Sequence, residues 1–184
     1  MPWDSKSMSN LEAPTKRLTL LRHAQAEHHA THDVDRTLTL DGRADARAIG
    51  QRLQQSGIAP QLVLCSTATR ARQTWELAAN AYGEAAEAID TQYLDLLYGA
   101  DLEEILDALH GLSEEVSDVL VVGHEPVTSA VAHYLAGPSS QEAAALRVRT
   151  GMSTATAALL SYRGPWRRLD RHGAVLTALA TCRS

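Results

Sequence analysis

Three short, largely apolar segments, far apart in the chain, run directly into polar residues. They are Arg17–Leu21, Leu62–Cys65 and Val119–Val122. Each is too short for a stable helix, and a continuous apolar run is typical of a strand that is covered on both faces. Helical patterns lie between these segments. The alternation predicts an α/β fold, a three-layer α/β/α sandwich with a mostly parallel central sheet.

Two helices with clear apolar stripes are predicted between the first two strands and after the second. The first helix begins near Leu40, with Thr39 as its N-cap and Gly57 beyond its last turn. Its apolar stripe is Ala44, Ala48, Ile49 and Leu53. The second helix is capped near Ser66 or Thr67. Its stripe, at spacings of three and four, is Ala68, Ala71, Trp75, Ala78 and Tyr82.

The second half of the chain predicts two more helices. One is Asp101–Leu109, whose first residue and Glu104 have the spacing of a capping box. The other is Val127–Leu135, which Gly137 and Pro138 bring to an end. Further strands are predicted at Ala86–Ile89, Ser153–Tyr162 and Leu169–Ala180.

Length and composition bound the class of protein. A chain of 184 residues, 45% of them hydrophobic, fits one domain at residues 16–184 after a disordered tail at residues 1–15. The tail lacks an apolar signal segment, and Cys65 is expected to be a buried free thiol, so we expect a cytoplasmic protein. The net charge of -5 argues against nucleic acid as a partner, and no apolar run is long enough for a membrane. A local basic pocket for a small anion is compatible with this charge.

Two arginines and two histidines follow the ends of the three strands. They are Arg22, His23, Arg70 and His124. Ligands of open α/β sheets bind at the carboxyl ends of the strands, so these side chains are expected to meet. Two guanidinium forks form a cradle for phosphate oxygens, and a neutral imidazole beside them can attack phosphorus. Nearby positive charges lower the pKa of that imidazole, and they make a metal ion or other cofactor unnecessary.

The same residues resemble the motifs of a known family. The segment Leu21-Arg22-His23-Ala24 resembles the RHG or RHA signature of the histidine phosphatase superfamily, whose fold is phosphoglycerate mutase-like. Ser66–Thr74 resembles its second block, and Gly123–Pro126 resembles its G-H-E-P block. The resemblance covers residues 17–180 in the expected order. Within the superfamily, the chain resembles the SixA group of phosphohistidine phosphatases in its short length and in two further segments. These segments are Asp35–Gly42 and Leu97–Ala100.

The resemblance implies a role for each of the four residues. His23 is the implied nucleophile, which becomes phosphohistidine during turnover. Arg22 and Arg70 are the implied phosphate clamps, and His124 is the implied stabiliser of the transferring phosphoryl group. Ala24 departs from the commoner glycine of the motif, which removes some backbone freedom behind the nucleophile.

A general acid is not evident from any motif. Relatives that act on phosphate monoesters use a carboxylate after the third strand, and Asp95 is the leading candidate here. Other carboxylates nearby are Glu84, Glu87, Asp90 and Asp101. Phosphohistidine needs little acid catalysis, because its P–N bond is labile and its imidazole is readily protonated. The lack of an acid motif is therefore compatible with the SixA group.

Two features of the loop at residues 25–36 leave alternatives open. Arg36 could contact substrate or form an ion pair with Asp33 or Asp35. The loop histidines could join Asp33 in a zinc site, but the segment lacks helical periodicity, which favours a solvated loop near the pocket. These histidines are His28, His29 and His32.

The leading functional hypothesis is a phosphatase that hydrolyses phosphohistidine on a partner protein through an intermediate on His23. The alternative is a phosphatase for a small phosphorylated metabolite. A third hypothesis is a module that binds phosphorylated ligands without turnover. Mutase activity is the least expected, because the chain is short of elements that would hold and reorient a substrate. The protein is expected to be a monomer.

Overall fold

Six strands form one mixed sheet in the computed structural model, which describes residues 15–182. The strands are β1 (Thr15–Arg22), β2 (Leu62–Ser66), β3 (Asp90–Leu94), β4 (Asp118–Gly123), β5 (Thr156–Arg163) and β6 (Val175–Thr181). Their order is β3-β2-β4-β1-β5-β6; the first four are parallel, and β5 and β6 are antiparallel to their neighbours. The predicted mostly parallel sheet is confirmed.

Within the described residues, six α-helices accompany the sheet. They are α1 (Leu40–Gln55), α2 (Thr69–Ala79), α3 (Leu96–Gly99), α4 (Leu102–His110), α5 (Val127–Leu135) and α6 (Glu142–Arg149). Helices α1 and α2 pack on one face, and α4, α5 and α6 pack on the other. In β4, Val119 and Val121 enter one core cluster while Leu120 and Val122 enter the other. This alternation explains the continuous apolar run and confirms the three-layer sandwich.

The predicted start of α1 is confirmed, but its buried stripe is different. The Thr39 hydroxyl accepts a hydrogen bond from the Gly42 amide at 2.9 Å, as an N-cap does. Ala44 is exposed, and the buried face consists of Gly42, Ala46, Ile49, Gly50 and Leu53. The two glycines decide this face, because a Cβ at Gly50 would lie 2.2 Å from the Ala78 carbonyl oxygen. An apolar stripe cannot reveal a contact that glycine makes through its backbone.

The predicted strand at Ala86–Ile89 is wrong. Residues Asn80–Ala88 form 3-10 turns, and the third strand begins only at Asp90. Strand β3 lies at the edge of the sheet and none of its residues is buried, so it carries no apolar signal. Tyr82, predicted on the stripe of α2, lies in these turns with its ring 6.2 Å from that of Trp75.

Two other differences concern the second half of the chain. Helix α6 was not predicted, because its described core contacts are limited to Ala144 and Val148. Strand β6 begins at Val175 rather than Leu169, because a 3-10 turn at Trp166–Arg168 and an irregular segment precede it. The capping box of α4 and the bounds of α5 are as predicted.

Residues 1–14 and 183–184 are outside the described part of the chain, so the predicted tail lies outside it except for Thr15, which begins β1. Within residues 15–182, no helix combines the length and apolar character needed to cross a membrane.

Candidate active site

The carboxyl ends of three adjacent parallel strands bring the four predicted residues together. Arg22 is the last residue of β1 and is paired in register with Gly123, the last residue of β4. The amide of His23 donates to the Gly123 carbonyl at 3.1 Å. The rings of His23 and His124 lie 5.1 Å apart between centroids, and Arg70 lies in the first turn of α2. The sheet therefore assembles a site from segments about 50 residues apart, as parallel strand ends do.

His23 is held as a neutral imidazole of one tautomer. Its side chain is 7% exposed, and Nδ1 lies 2.7 Å from the Ala24 carbonyl oxygen. A carbonyl can only accept, so Nδ1 carries the proton and Nε2 keeps its lone pair. Burial lowers the pKa of His23 to about 3, and the charges of Arg70 and Arg22 act in the same direction. Near neutral pH, this histidine has the form that a nucleophile requires.

Helix α2 braces the segment behind His23. The Ala24 amide donates to the Thr74 hydroxyl at 3.0 Å, and that hydroxyl donates to the Arg70 carbonyl at 2.6 Å. The Leu38 amide donates to the Gln73 side-chain oxygen at 2.8 Å. Gln73 and Thr74 thus connect α2 to the segment after β1.

His124 is also buried, at 8% exposed, and one side of its ring is fixed. Its Nε2 lies 2.9 Å from the Ser66 hydroxyl oxygen, whereas its Nδ1 is buried without a hydrogen-bond partner in the described structure. Burial lowers the pKa of His124 to about 4, with the charge of Arg70 as the next cause. The ring of Tyr98 meets His124 edge-on at 5.8 Å. One ring nitrogen of His124 is therefore paired with Ser66, and the other is unpaired in the described structure.

Arg70 holds an anion that belongs to the chain itself. Its two terminal nitrogens donate to the Asp33 backbone oxygen at 2.8 Å and to the Asp33 carboxylate at 3.1 Å. Tyr98 donates to the same carboxylate at 2.8 Å, and Arg36 is 3.4 Å from it. The Tyr98 hydrogen bond, followed by the charges of Arg70 and Arg36, holds the pKa of Asp33 below its usual value. Of the two alternatives for Arg36, the ion pair with Asp33 is present.

Three guanidinium groups of the site retain buried donors without partners. The Nε atoms of Arg22, Arg36 and Arg70 are buried and form no hydrogen bond in the described structure. A terminal nitrogen of Arg22 donates to the Met152 carbonyl. Buried unpaired donors are uncommon in folded proteins, and three charged ones in one site are the arrangement expected of an oxyanion cradle.

The carboxylates considered as general acids lie at different places relative to the carboxyl edge of the sheet. Asp95 follows β3 at the carboxyl edge of the sheet, where its carboxylate accepts from the Thr67 hydroxyl at 2.8 Å. Asp90 begins the same strand at the opposite edge, and Asp101 caps α4. Asp95 therefore lies at the right edge of the sheet, although it is exposed and bonded to a loop.

Three residues of the site were not predicted as site residues. They are Asp33, Ser66 and Tyr98. Ser66 stood as a possible helix cap, yet it ends β2 and contacts His124. Its place at the end of a buried strand is a signal that could have identified it. No local pattern shows that the loop carrying Asp33 folds over Arg70. The loop histidines His28, His29 and His32 are exposed.

Comparison with known proteins gives the family. The model of the histidine phosphatase superfamily (branch 1) matches residues 18–97. An uncharacterized protein of Mycobacterium leprae, ML1117, is 34% identical over 165 residues, which are 86% of this chain and 97% of that protein. The chain belongs to the histidine phosphatase superfamily.

Solved structures place the chain near one group of the histidine phosphatase superfamily. A candidate phosphohistidine phosphatase SixA from Nakamurella multipartitia has a TM-score of 0.80 and 35% identity, and the match covers 94% of this chain and 99% of that chain. A second, from Agrobacterium tumefaciens, has a TM-score of 0.75 and 30% identity, covering 90% and 97%. Membership in the superfamily and these SixA-type neighbours indicate a phosphatase.

Proposed function

We propose that this protein is a metal-independent phosphatase that hydrolyses phosphohistidine on a partner protein through a phosphohistidine intermediate on His23. The observation that carries the proposal is the buried neutral His23, whose proton is held at Nδ1 by the Ala24 carbonyl, beside three guanidinium groups with unpaired donors. The similarity to SixA-type structures supports the substrate class.

In the proposed first step, Nε2 of His23 attacks phosphorus and forms a new P–N bond. The P–N bond of the substrate breaks, and its electron pair returns to the leaving imidazole, which takes up a proton. Arg22 and Arg70 hold the phosphoryl oxygens, and Arg36 adds positive charge beside them. The Asp33 carboxylate gives up its place on Arg70 to the phosphoryl group.

In the proposed second step, water attacks phosphorus, and the P–N bond to His23 breaks. Inorganic phosphate leaves, and Nε2 regains its lone pair. His124 supports both steps: the Ser66 hydroxyl lies on its Nε2, so a proton on its Nδ1 can be donated to a phosphoryl oxygen. Its lowered pKa means that this donor is a neutral imidazole.

The leaving group is the reason for proposing phosphohistidine. Asp33 is held ionised by its partners, and the exposed Asp95 is bonded to Thr67, so neither is arranged as a buried protonated acid. An imidazole leaving group is readily protonated from solvent, whereas an alkoxide requires a positioned acid. Cys65 is a buried free thiol, as expected in a reducing compartment, which supports the proposed cytoplasmic setting.

The first experiment is a turnover assay with chelator present and no added metal. A phosphohistidine peptide is compared with a panel of alkyl phosphates, with His23→Ala as the negative control. We expect kcat/KM to be at least 100-fold higher for phosphohistidine, since general acid catalysis contributes about 10²–10⁴-fold where it is needed. We expect His23→Ala to abolish turnover while its circular dichroism spectrum stays native. Retained turnover in His23→Ala would refute the covalent mechanism.

A phosphatase for small phosphate monoesters is the second candidate, and the position of Asp95 favours it. Among the acids considered from the sequence, Asp95 directly follows a strand at the carboxyl edge. Preference for alkyl phosphates, lost in Asp95→Asn, would establish this candidate in place of the first. Tight phosphate binding without turnover of any substrate would favour a binding module.

A further inference from the structure

A basic groove begins at Arg22 and extends away from the reaction centre over α5 and α6. Its volume is about 800 Å³. Its charged or titratable lining residues are Arg22, Glu125, His133, Arg147 and Arg149. The groove therefore shares one wall, Arg22, with the proposed phosphoryl site.

The positive charge in this groove is not neutralised within the described structure. Arg147 and Arg149 are exposed, and no carboxylate of residues 15–182 lies within ion-pair distance of either. The Arg147 guanidinium donates a long hydrogen bond, 3.5 Å, to the Ser153 hydroxyl. Among the described lining residues Glu125 is the one carboxylate, and it accepts a hydrogen bond from Ser129. A positively charged groove favours an anionic ligand, and this groove stands out in a chain whose net charge is -5.

The two arginines stand on a fixed support. Helix α6 is capped by the Gln141 side chain, which accepts from the Ala144 amide at 2.9 Å. Ala144 and Val148 enter the core, and the Gln141 amide donates to the Leu176 carbonyl of β6 at 2.9 Å. Charges on an anchored helix keep a constant position relative to Arg22, as a binding subsite requires.

We propose that this groove binds an acidic segment that flanks the phosphohistidine in the protein substrate. The inference rests on the proposed function and adds a substrate class to it. A phosphoryl group occupies only the cradle, whereas a groove of about 800 Å³ has room for several residues of polypeptide. Carboxylates of that segment pair with Arg147 and Arg149 while the phosphoryl group contacts Arg22.

The test compares three substrates. Two are phosphohistidine peptides of one sequence, with four flanking Asp and Glu residues in the first and the matching Asn and Gln residues in the second. The third is phosphoimidazole, which has no flanks. We expect the wild type to show kcat/KM about tenfold higher for the acidic peptide, from two exposed ion pairs, with the ratio falling towards one in 0.5 M salt.

The variant Arg147→Gln/Arg149→Gln is expected to lower the ratio of the two peptides to about one. Its hydrolysis of phosphoimidazole shows that the active site has folded. The matched control Arg47→Gln/Arg52→Gln removes the same charge from exposed positions on α1 and is expected to keep the tenfold ratio.

Each outcome distinguishes this inference from the proposed function. Turnover of phosphoimidazole with equal kcat/KM for the two peptides would overturn the acidic segment alone. A preference that survives in Arg147→Gln/Arg149→Gln would also overturn it, because the groove would not be its source. No turnover of any of the three substrates by the wild type would overturn the proposed function and this inference with it.

Discussion

The Asp33 carboxylate binds the same guanidinium groups that we assign to the phosphoryl group. It contacts Arg70 at 3.1 Å and Arg36 at 3.4 Å, with Tyr98 as a third donor. Its lowered pKa keeps it negative under working conditions, so it competes with any incoming anion. A substrate must therefore bind Arg70 more strongly than the Asp33 carboxylate does. A phosphoryl dianion satisfies this requirement because it carries more negative charge than a carboxylate.

Asp33→Asn is therefore expected to bind inorganic phosphate more tightly than the wild type. Removal of a negative charge within a few ångströms of the phosphate is worth about 1 kcal/mol or more at high effective dielectric, which is roughly a fivefold to tenfold lower Kd. Isothermal titration calorimetry with inorganic phosphate measures the Kd of the variant and of the wild type. Asp35→Asn, in the same turn, is the matched control. Weaker binding in Asp33→Asn would mean that Asp33 positions the arginines for the anion.

At the scale of elements, the contact of α1 with α2 depends on a glycine. A Cβ at Gly50 would meet the backbone of Ala78, with the carbonyl oxygen at 2.2 Å. Backbone cannot move aside as a flexible side chain can, so the two helices would have to separate. Helix α2 also carries Arg70 and Thr74, so this contact supports the site from behind.

Gly50→Ala is expected to lower the free energy of unfolding by about 1–3 kcal/mol, the usual cost of overpacking. Urea denaturation followed by circular dichroism measures it. Gly99→Ala is the control, because nothing lies within 4 Å of a Cβ there. We expect that control to stay within about 0.5 kcal/mol of the wild type. Wild-type stability in Gly50→Ala would show that α1 and α2 have room for a methyl group between Gly50 and the Ala78 backbone.

At the scale of the whole molecule, two buried neutral histidines of the site make the free energy of unfolding depend on pH. The pKa of His23 is lowered from 6.5 to about 3 and that of His124 to about 4, in both cases mainly by burial. Between these values and 6.5, the unfolded chain binds protons that the folded protein does not. Stability therefore rises with pH through this window and is lost as the pH falls from 6.5 towards 4.

Wild-type protein is expected to lose about 2 kcal/mol of unfolding free energy per histidine between pH 7 and pH 5. In His23→Gln this loss is expected to be smaller by about that amount. Urea denaturation at the two pH values gives the difference, and His28→Gln, at an exposed loop position, is expected to behave as the wild type. Equal losses in His23→Gln and the wild type would show that His23 titrates normally in the folded state.

The sequence by itself determined the buried parallel strands of the sheet and the polar residues that their ends bring together. A strand such as Val119–Val122 is apolar throughout because both of its faces are covered. A run of four apolar residues is enough to show this in the sequence. The polar residues that follow such strands meet, because parallel strands end at one edge. Capping residues such as Thr39 and Asp101 act within three residues, so they were also predictable.

Only the tertiary structure decided which groups those residues contact. Asp33 reaches Arg70 across 37 positions and Tyr98 across 65, and no local periodicity records such a pairing. The exposed edge strand β3 and the lightly buried α6 likewise carry little apolar pattern. The groove depends on the segment after α6 meeting the end of β1, where Arg22 donates to the Met152 carbonyl. Local sequence determines which elements form, whereas contacts between distant segments depend on the path of the whole chain.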